Sequence, residues 1–185
     1  MFFSNKLKEG VKYVHFTLNN LLTWANSQMK GLKINVQDID LQELVQENIN
    51  LFATVASDKN IEMRNELPHH IHAKADKNQI EMVIRNLLSN ALKFTPHYGS
   101  IFISATSKSN SWEISIKDTG VGIKAENIAK LFAKDTHFST LGTSGEKGTG
   151  FGLWICKEMI EKNVGKIWVE SQEGKGSTFY FTLPM

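Results

Sequence analysis

The sequence predicts an α+β fold, a two-layer α/β sandwich in which helices cover a mixed β-sheet, with an amphipathic helix in front of it. Long segments with helical spacing of apolar residues are interspersed with short segments in which apolar and polar residues alternate. The 185 residues are 41% hydrophobic, which suits one domain of ordinary size plus an appendage. We assign the appendage, a helix and its linker, to residues 1–37 and the domain to residues 38–185.

Residues 6–30 are predicted to form the amphipathic helix. Gly31 suits its end, and its apolar positions follow 3-4-3-4 spacing at Val11, Val14, Leu18, Leu21 and Ala25. A lone helix cannot bury such a stripe, so the pattern predicts a packing partner. Homodimerisation through this helix is one hypothesis.

The domain begins with capped helices. Asp38 and Asp40 offer caps for a helix over residues 41–56, and Asp76 caps a helix that Pro96 ends. Residues 133–147 are mostly small and polar, and we expect them to form a mobile lid. The other predicted elements are strands at 61–67, 71–75, 101–105, 112–117, 166–170 and 177–183, and helices at 125–132 and 151–163.

Composition excludes several classes of protein. The net charge is +2 and no basic stripe is interleaved with aromatics, so nucleic acid is not an expected partner. The single cysteine, Cys156, lies in a helical pattern and is expected to be a buried, inert thiol. No apolar run of 18 residues occurs, so we expect no membrane contact and a cytoplasmic location. A membrane anchor in a longer parent protein stays open.

One predicted helix carries a line of polar side chains. Asn86, Asn90 and Lys93 are spaced i, i+4 and i+7, which places them within a stripe about 60° wide. A carboxamide oxygen suits a hard cation such as Mg²⁺, and an ammonium group suits a phosphate. The stripe could equally be a solvated face, and this segment alone leaves both interpretations open.

A first glycine-rich segment, residues 118–123, follows an alternating strand pattern. A carboxylate at a strand end, here Asp118, can accept a hydrogen bond from an exocyclic amine. Gly120 and Gly122 leave room for a flat ring to approach the backbone. An ordinary strand-to-helix turn is the alternative interpretation.

A second glycine-rich segment opens the predicted helix 151–163. Gly148, Gly150 and Gly152 would present backbone N–H groups at a helix N-terminus, an arrangement that can cradle phosphate. The spacing fits neither a Walker A loop nor the dinucleotide-binding fingerprint.

The order of these three segments resembles the ATP-binding domain shared by histidine kinases, type II topoisomerases, mismatch-repair ATPases and a family of heat-shock chaperones. The resemblance runs from about residue 38 to 185 and is greatest to sensor histidine kinases of two-component systems. Residues 86–95 are similar to that family's N box, 118–123 to its G1 box, 148–153 to its G2 box and 132–138 to a divergent F box. The resemblance implies a protein-histidine kinase, a transferase in signal transduction, that uses ATP and Mg²⁺.

The resemblance also implies roles for individual residues. Asn90 would coordinate Mg²⁺, Lys93 would contact a phosphate, and Asn86 would hold a metal-bound water. Asp118 would accept a hydrogen bond from the adenine amine, which selects ATP over GTP. The other implied nucleotide-binding residues are Phe94, Gly120, Gly122, Gly148, Gly150, Gly152 and Thr178, the last near Asp118 unless it is a plain strand residue.

Position 86 separates kinase from ATPase within the resemblance. The topoisomerase, mismatch-repair and chaperone branches have a glutamate there that activates water. Asn86 is a poor general base because an amide takes no proton near neutral pH. We therefore expect ATP to be bound without rapid hydrolysis and its γ-phosphoryl group to pass to a protein nucleophile.

The N-terminal helix departs from the family because it lacks the acceptor-histidine motif. His15 is the nearest candidate, but no acidic residue follows it. The helix looks like the second helix of the family's dimerisation hairpin, so the expected partners are an acceptor-histidine helix in trans and a response regulator. Two rival functions remain: a degenerate nucleotide-binding or docking module, and an ATPase of the topoisomerase or chaperone kind.

Two weaker sites complete the candidates. His69, His70 and His72 could catch a metal ion, but no nearby Cys or carboxylate completes such a site. Family members often place a phosphate-contacting arginine in the lid, and Lys134, His137 or Lys147 could substitute for it here.

Overall fold

Seven strands form two sheets in this computed structural model, which describes residues 34–133, 139–146 and 148–185. In the five-stranded sheet the second strand runs parallel to the fourth and the other neighbours are antiparallel, so the predicted mixed sheet is confirmed. The first and third strands pair in a small antiparallel sheet. In chain order the strands are β1 (Gln37–Asp40), β2 (Glu62–Asn65), β3 (His72–Ala75), β4 (Ser100–Lys108), β5 (Ser111–Asp118), β6 (Ile167–Gln172) and β7 (Gly176–Pro184), and the larger sheet has the order β2-β4-β5-β7-β6.

Side-chain caps fix the starts of the two long helices. Asp40 accepts a hydrogen bond from the backbone N–H of Glu43 at 3.0 Å, and Asp76 accepts one from Gln79 at 3.2 Å, as the sequence predicts. Asp38 caps nothing and instead pairs with Lys74 in the register of β1 and β3. The helices among the described residues are α1 (Leu41–Asp58), α2 (Lys77–Phe94), α3 (Ala125–Ile128) and α4 (Gly152–Lys162).

Helix α3 is four residues long, whereas the sequence predicts a helix to residue 132. Its N-cap residue, Lys124, makes no side-chain capping bond, and none of its residues is buried. Without a capping hydrogen bond or a buried face, further helical turns would gain too little stability to form.

The core lies between α2 and the larger sheet. Ile80, Ile84, Leu87 and Leu88 of α2 are fully buried, and they are joined by alternate residues of the central strands, Ile101, Ile103, Ile114, Ile116, Phe181 and Leu183. The two-layer α/β sandwich is thus confirmed. Cys156 of α4 is also fully buried, and burial raises the pKa of its thiol to about 12, which fits the inert thiol that the sequence predicts.

The predicted N-terminal helix, His15 included, lies outside the described residues. No helix within the described ranges is long and apolar enough to cross a membrane. The described residues also contain no group of three His, Cys, Asp or Glu side chains placed to hold a metal ion; His72 instead lies 3.2 Å from the Asp38 carboxylate.

Candidate functional site

Asp118 is a buried carboxylate at the end of β5. Its Oδ1 accepts hydrogen bonds from the backbone N–H of Gly120 at 2.8 Å and of Ser177 at 3.2 Å. Both hydrogen bonds that the carboxylate accepts from described residues go to Oδ1, so Oδ2 can still accept a further hydrogen bond. Burial raises the pKa of the Asp118 carboxyl to about 6, and the two backbone hydrogen bonds oppose that shift. At neutral pH the group is therefore an ionised acceptor in a sheltered place.

The two glycines after Asp118 are required by the chain's own backbone. A Cβ on Gly120 would lie 2.5 Å from the carbonyl oxygen of Phe94, at the end of α2. Gly122 has a φ of +67°, and a Cβ there would collide with the carbonyl of Gln172. The G1 turn is thus wedged between the end of α2 and the end of β6, which fixes Asp118 beside the N-box helix.

The polar stripe of α2 is only partly engaged. Asn86 is buried, and its Nδ2 donates to the carbonyl of Met82 at 3.2 Å. Asn90 is half-buried, and its carboxamide makes no hydrogen bond to another described residue. Asn90 can therefore offer its oxygen to a cation without breaking an existing contact, which suits the predicted metal ligand.

Lys93 lies where α2 meets the lid. Its Nζ donates to the carbonyl of Thr140 at 2.9 Å and lies 4.6 Å from the ring centroid of Phe94. Burial lowers the pKa of Lys93, and the negative charge of Glu146 partly opposes this shift. The ammonium is thus a partly desolvated cation, and Phe94 packs against it.

The G2 glycines lie against the same polar stripe. A Cβ on Gly148 would lie 2.9 Å from Lys93 Nζ, and one on Gly152 would lie 3.0 Å from Asn86 Oδ1. Gly150 has a φ of +78°, a conformation that favours glycine. The structure therefore brings the G1 turn and the G2 loop to the same helix, α2.

Ser177 is a site residue that the sequence reasoning missed. The register pairs it with Asp118, its amide binds that carboxylate, and its Oγ lies 2.9 Å from Ser171 Oγ. Thr178 pairs with Lys117 and lines a cavity of about 370 Å³ together with Ser104, Ser115 and Tyr180. The structure thus brings Ser177, not Thr178, to Asp118. Side chains alternate along a strand, so Ser177 and Thr178 point to opposite faces of the sheet. Aligning the start of β7 with Asp118 at the end of β5 would identify Ser177 as its neighbour.

The lid is described only in part. Lys134, His137 and Lys147, the three candidates for a phosphate contact, lie outside the described residues, as does most of the divergent F box. Residues 139–146 are described and lie against the end of α2, where Lys93 binds them.

Comparison with known proteins assigns the chain to the same family that its sequence motifs resemble. The family described as histidine kinase-, DNA gyrase B-, and HSP90-like ATPase matches residues 75–185, more than half of the chain. The adaptive-response sensory kinase SasA of Crocosphaera subtropica is 30% identical over 183 residues, which cover 98% of this chain and 47% of that protein. SasA of Synechocystis sp. is 34% identical over 180 residues, 96% of this chain and 46% of that protein. The chain spans about half the length of these curated relatives.

Solved structures extend the likeness to the fold. The nucleotide-free catalytic domain of histidine kinase ThkA has a TM-score of 0.71 and 32% identity, covering 81% of this chain and 95% of that one. ThkA in complex with the response regulator protein TrrA has a TM-score of 0.68 and 28% identity, covering 96% of this chain and 51% of that one. The chain therefore belongs to the histidine kinase-, DNA gyrase B- and HSP90-like ATPase family, and within it to the ATP-binding domains of sensor histidine kinases.

Proposed function

We propose that this chain binds Mg²⁺-ATP and delivers the γ-phosphoryl group to a histidine on another segment or chain, as the catalytic part of a sensor histidine kinase. The observation that carries the proposal is the Asp118 carboxylate. Two backbone amides fix its Oδ1, and Oδ2 remains to accept a hydrogen bond. An acceptor in that position fits the amine of adenine and disfavours guanine, which presents a carbonyl there.

Residues of α2 and the G2 loop would hold the phosphates. Asn90 has an unengaged carboxamide and would ligate Mg²⁺, which when bound neutralises phosphate charge. Lys93 would exchange its hydrogen bond to the Thr140 carbonyl for one to a phosphate oxygen. Gly148 and Gly150 would allow the lid backbone to approach the phosphates.

Asn86 makes transfer more suitable than hydrolysis. Its amide already donates to the Met82 carbonyl, and it has no basic group that could take a proton from water. Water at this position would stay unactivated, so the γ-phosphoryl group would await a histidine nucleophile. Positioning and charge neutralisation by Lys93 would then lower the barrier.

The proposed partners follow from the relatives. A response regulator would receive the phosphoryl group, since the related ThkA is known in complex with one. The acceptor histidine would come in trans, and homodimerisation through the N-terminal helix would bring two such chains together. A cytoplasmic location, where ATP is available, completes the proposal.

Phosphoryl transfer to a separate acceptor tests the proposal. The purified chain is incubated with γ-labelled ATP, Mg²⁺ and a helical hairpin of a sensor histidine kinase that carries the acceptor histidine. We expect acid-labile label on the hairpin and none when its histidine is replaced by alanine. Steady ATP hydrolysis that needs no acceptor, without transfer, would contradict the proposal and support an ATPase of the topoisomerase or chaperone kind.

A further inference from the structure

Lys59 is a buried cation that follows the last residue of α1. Its side chain is only 8% exposed. Its Nζ donates to the Leu92 carbonyl at 2.6 Å and to Thr143 Oγ1 at 2.8 Å, and lies 3.4 Å from Glu146 Oε1. The ammonium has three N–H groups, and each has an acceptor from α2 or from the lid. One side chain thus joins α1, α2 and the lid.

The lid segment at this junction is a closed turn. Gly142 donates its N–H to the Glu146 carbonyl at 2.9 Å, and Ser144 donates its own to Glu146 Oε2 at 2.8 Å. Glu146 therefore uses its backbone and both carboxylate oxygens to close the turn and to face Lys59. Within this turn, Thr143 is the residue that bonds to the end of α2, through its N–H and its Oγ1.

Lys93 bonds to two residues of the lid, one inside this turn and one just before it. Its backbone carbonyl accepts a hydrogen bond from the Thr143 N–H at 3.0 Å, and its Nζ donates to the Thr140 carbonyl at 2.9 Å. Thr143 Oγ1 also lies 3.1 Å from the carbonyl of Lys93. The main chain and side chain of the predicted phosphate-binding lysine are thus set by the segment that Lys59 holds.

Helix capping does not account for the Lys59 side chain. The backbone N–H of Lys59 already caps α1 by donating to Ala56 at 3.2 Å. Burial of an ammonium is costly unless each N–H is satisfied, and an apolar residue would fill the space without that cost. The hydrogen bond from Lys59 to the Leu92 carbonyl joins α1 to α2 only. The further contacts with Thr143 and Glu146 connect these two helices to the lid.

We propose that Lys59 is a positioning residue: it holds residues 140–146 of the lid on the last turn of α2 and thereby sets Lys93 for phosphate binding. Ordering this part of the lid before the nucleotide arrives lowers the entropic cost of closing the site. The effect on the nucleotide rests on the proposed function, whereas the effect on lid order does not.

Hydrogen exchange of the nucleotide-free protein tests the junction. In Lys59→Met we expect the amides of Thr143 and Ser144 to exchange at least about tenfold faster, while those of Ile114 and Ile116 in β5 keep their rates. Lys108→Met is the matched control, since Lys108 is exposed and pairs with Glu113 at 3.5 Å, far along the hairpin from the lid. It should change neither set of amides.

Thr143→Val keeps the test decisive if Lys59→Met fails to fold. Valine has the shape of threonine but removes the acceptor for Lys59 together with the hydrogen bonds from Thr143 Oγ1 to the carbonyls of Lys93 and Thr95. The Ser144 amide should again exchange faster and a non-hydrolysable ATP analogue should bind about fivefold more weakly. Glu146→Gln isolates the contribution of Lys59, because it removes the charge that faces Lys59 and leaves the Thr143 hydroxyl in place, and it should also speed exchange of the Thr143 amide. Unchanged lid amides in Thr143→Val, or faster exchange in β5 together with the lid, would overturn the proposal. Faster lid exchange in a chain that binds no nucleotide even as wild type would instead refute the proposed function and leave the junction standing.

Discussion

Ser177 donates its backbone N–H to the Asp118 carboxylate at 3.2 Å, so the start of strand β7 is bonded to the end of strand β5. Together with the N–H of Gly120, this bond fixes one oxygen of a carboxylate that the fold keeps 4% exposed. The fold thus tolerates a buried charge at this point, and two backbone amides stabilise it.

That buried charge should cost stability. Because the pKa of Asp118 in the folded protein is about 6, above its ordinary value of 3.8, the folded state binds the proton more tightly than the unfolded state. Stability is therefore greatest below about pH 4 as far as this group is concerned, and it falls as pH rises to about 6. In Asp118→Asn the Oδ1 can still accept hydrogen bonds from both backbone amides. The free energy of unfolding of this variant at pH 7 should therefore exceed that of wild type by about 1–3 kcal/mol.

Urea unfolding of Asp118→Asn and wild type at pH 4, 5, 6 and 7 checks this prediction. The gap between the two proteins should widen as pH rises. A variant less stable than wild type at pH 7 would show that the charge itself supports the fold.

Lys93→Met should weaken binding of Mg²⁺-ATP analogues about tenfold or more without a large loss of stability. Methionine has nearly the length of the lysine stem but carries no charge for a phosphate, and the lost bond to the Thr140 carbonyl is replaced by water at an exposed site. Isothermal titration measures the affinity, with Lys108→Met as control. Equal affinity in Lys93→Met and wild type would exclude this lysine as a phosphate ligand.

Gly122→Ala should destabilise the protein by about 2–4 kcal/mol, because its Cβ would collide with the Gln172 carbonyl in addition to the strain of a positive φ. Gly174→Ala is the matched control, since Gly174 has a φ of +79° and nothing within 4 Å of its added Cβ. It should cost only about 1–2 kcal/mol. Thermal unfolding of Gly122→Ala and Gly174→Ala separates the cost of the positive φ, which both share, from that of the contact with Gln172. Equal losses of stability in the two variants would exclude the collision.

Asn86→Glu should raise ATP hydrolysis in the absence of an acceptor by about tenfold or more, because a carboxylate at this position can take a proton from water. Asn86→Gln, which keeps the length of glutamate without the base, should not. A coupled assay of ADP release compares the two variants with wild type. If both glutamate and glutamine leave the rate unchanged while binding is intact, position 86 does not decide between hydrolysis and transfer.

Much of the fold was predictable because its signals are local. Asp40 and Asp76 precede helical patterns and do cap them, and alternation marks the central strands. The sequence does not predict strand β1, because its four residues carry two charges and no alternating apolar pattern. The strand is defined by its pairing with β3. Long-range register decides that Ser177 rather than Thr178 lies opposite Asp118. The contacts of Lys59 are invisible to local sequence patterns because its acceptors lie 33 or more residues away in sequence.

The site was predictable as motifs but not as contacts. The N-box and glycine segments do converge, yet the roles of Gly120 and Gly122 in backbone packing depend on Phe94 and Gln172, which no pattern joins to them. Such neighbours become visible only when α2, β5 and β6 are assembled.

Calorimetric titration with a non-hydrolysable ATP analogue, with and without Mg²⁺, tests most directly that this chain is an ATP-binding domain that reads adenine through Asp118. Wild type should bind the ATP analogue more tightly with Mg²⁺ and should bind the GTP analogue at least about a hundredfold more weakly, while Asp118→Asn should lose the ATP analogue and stay folded. Equal binding of both analogues, or ATP binding that survives Asp118→Asn, would contradict the central claim.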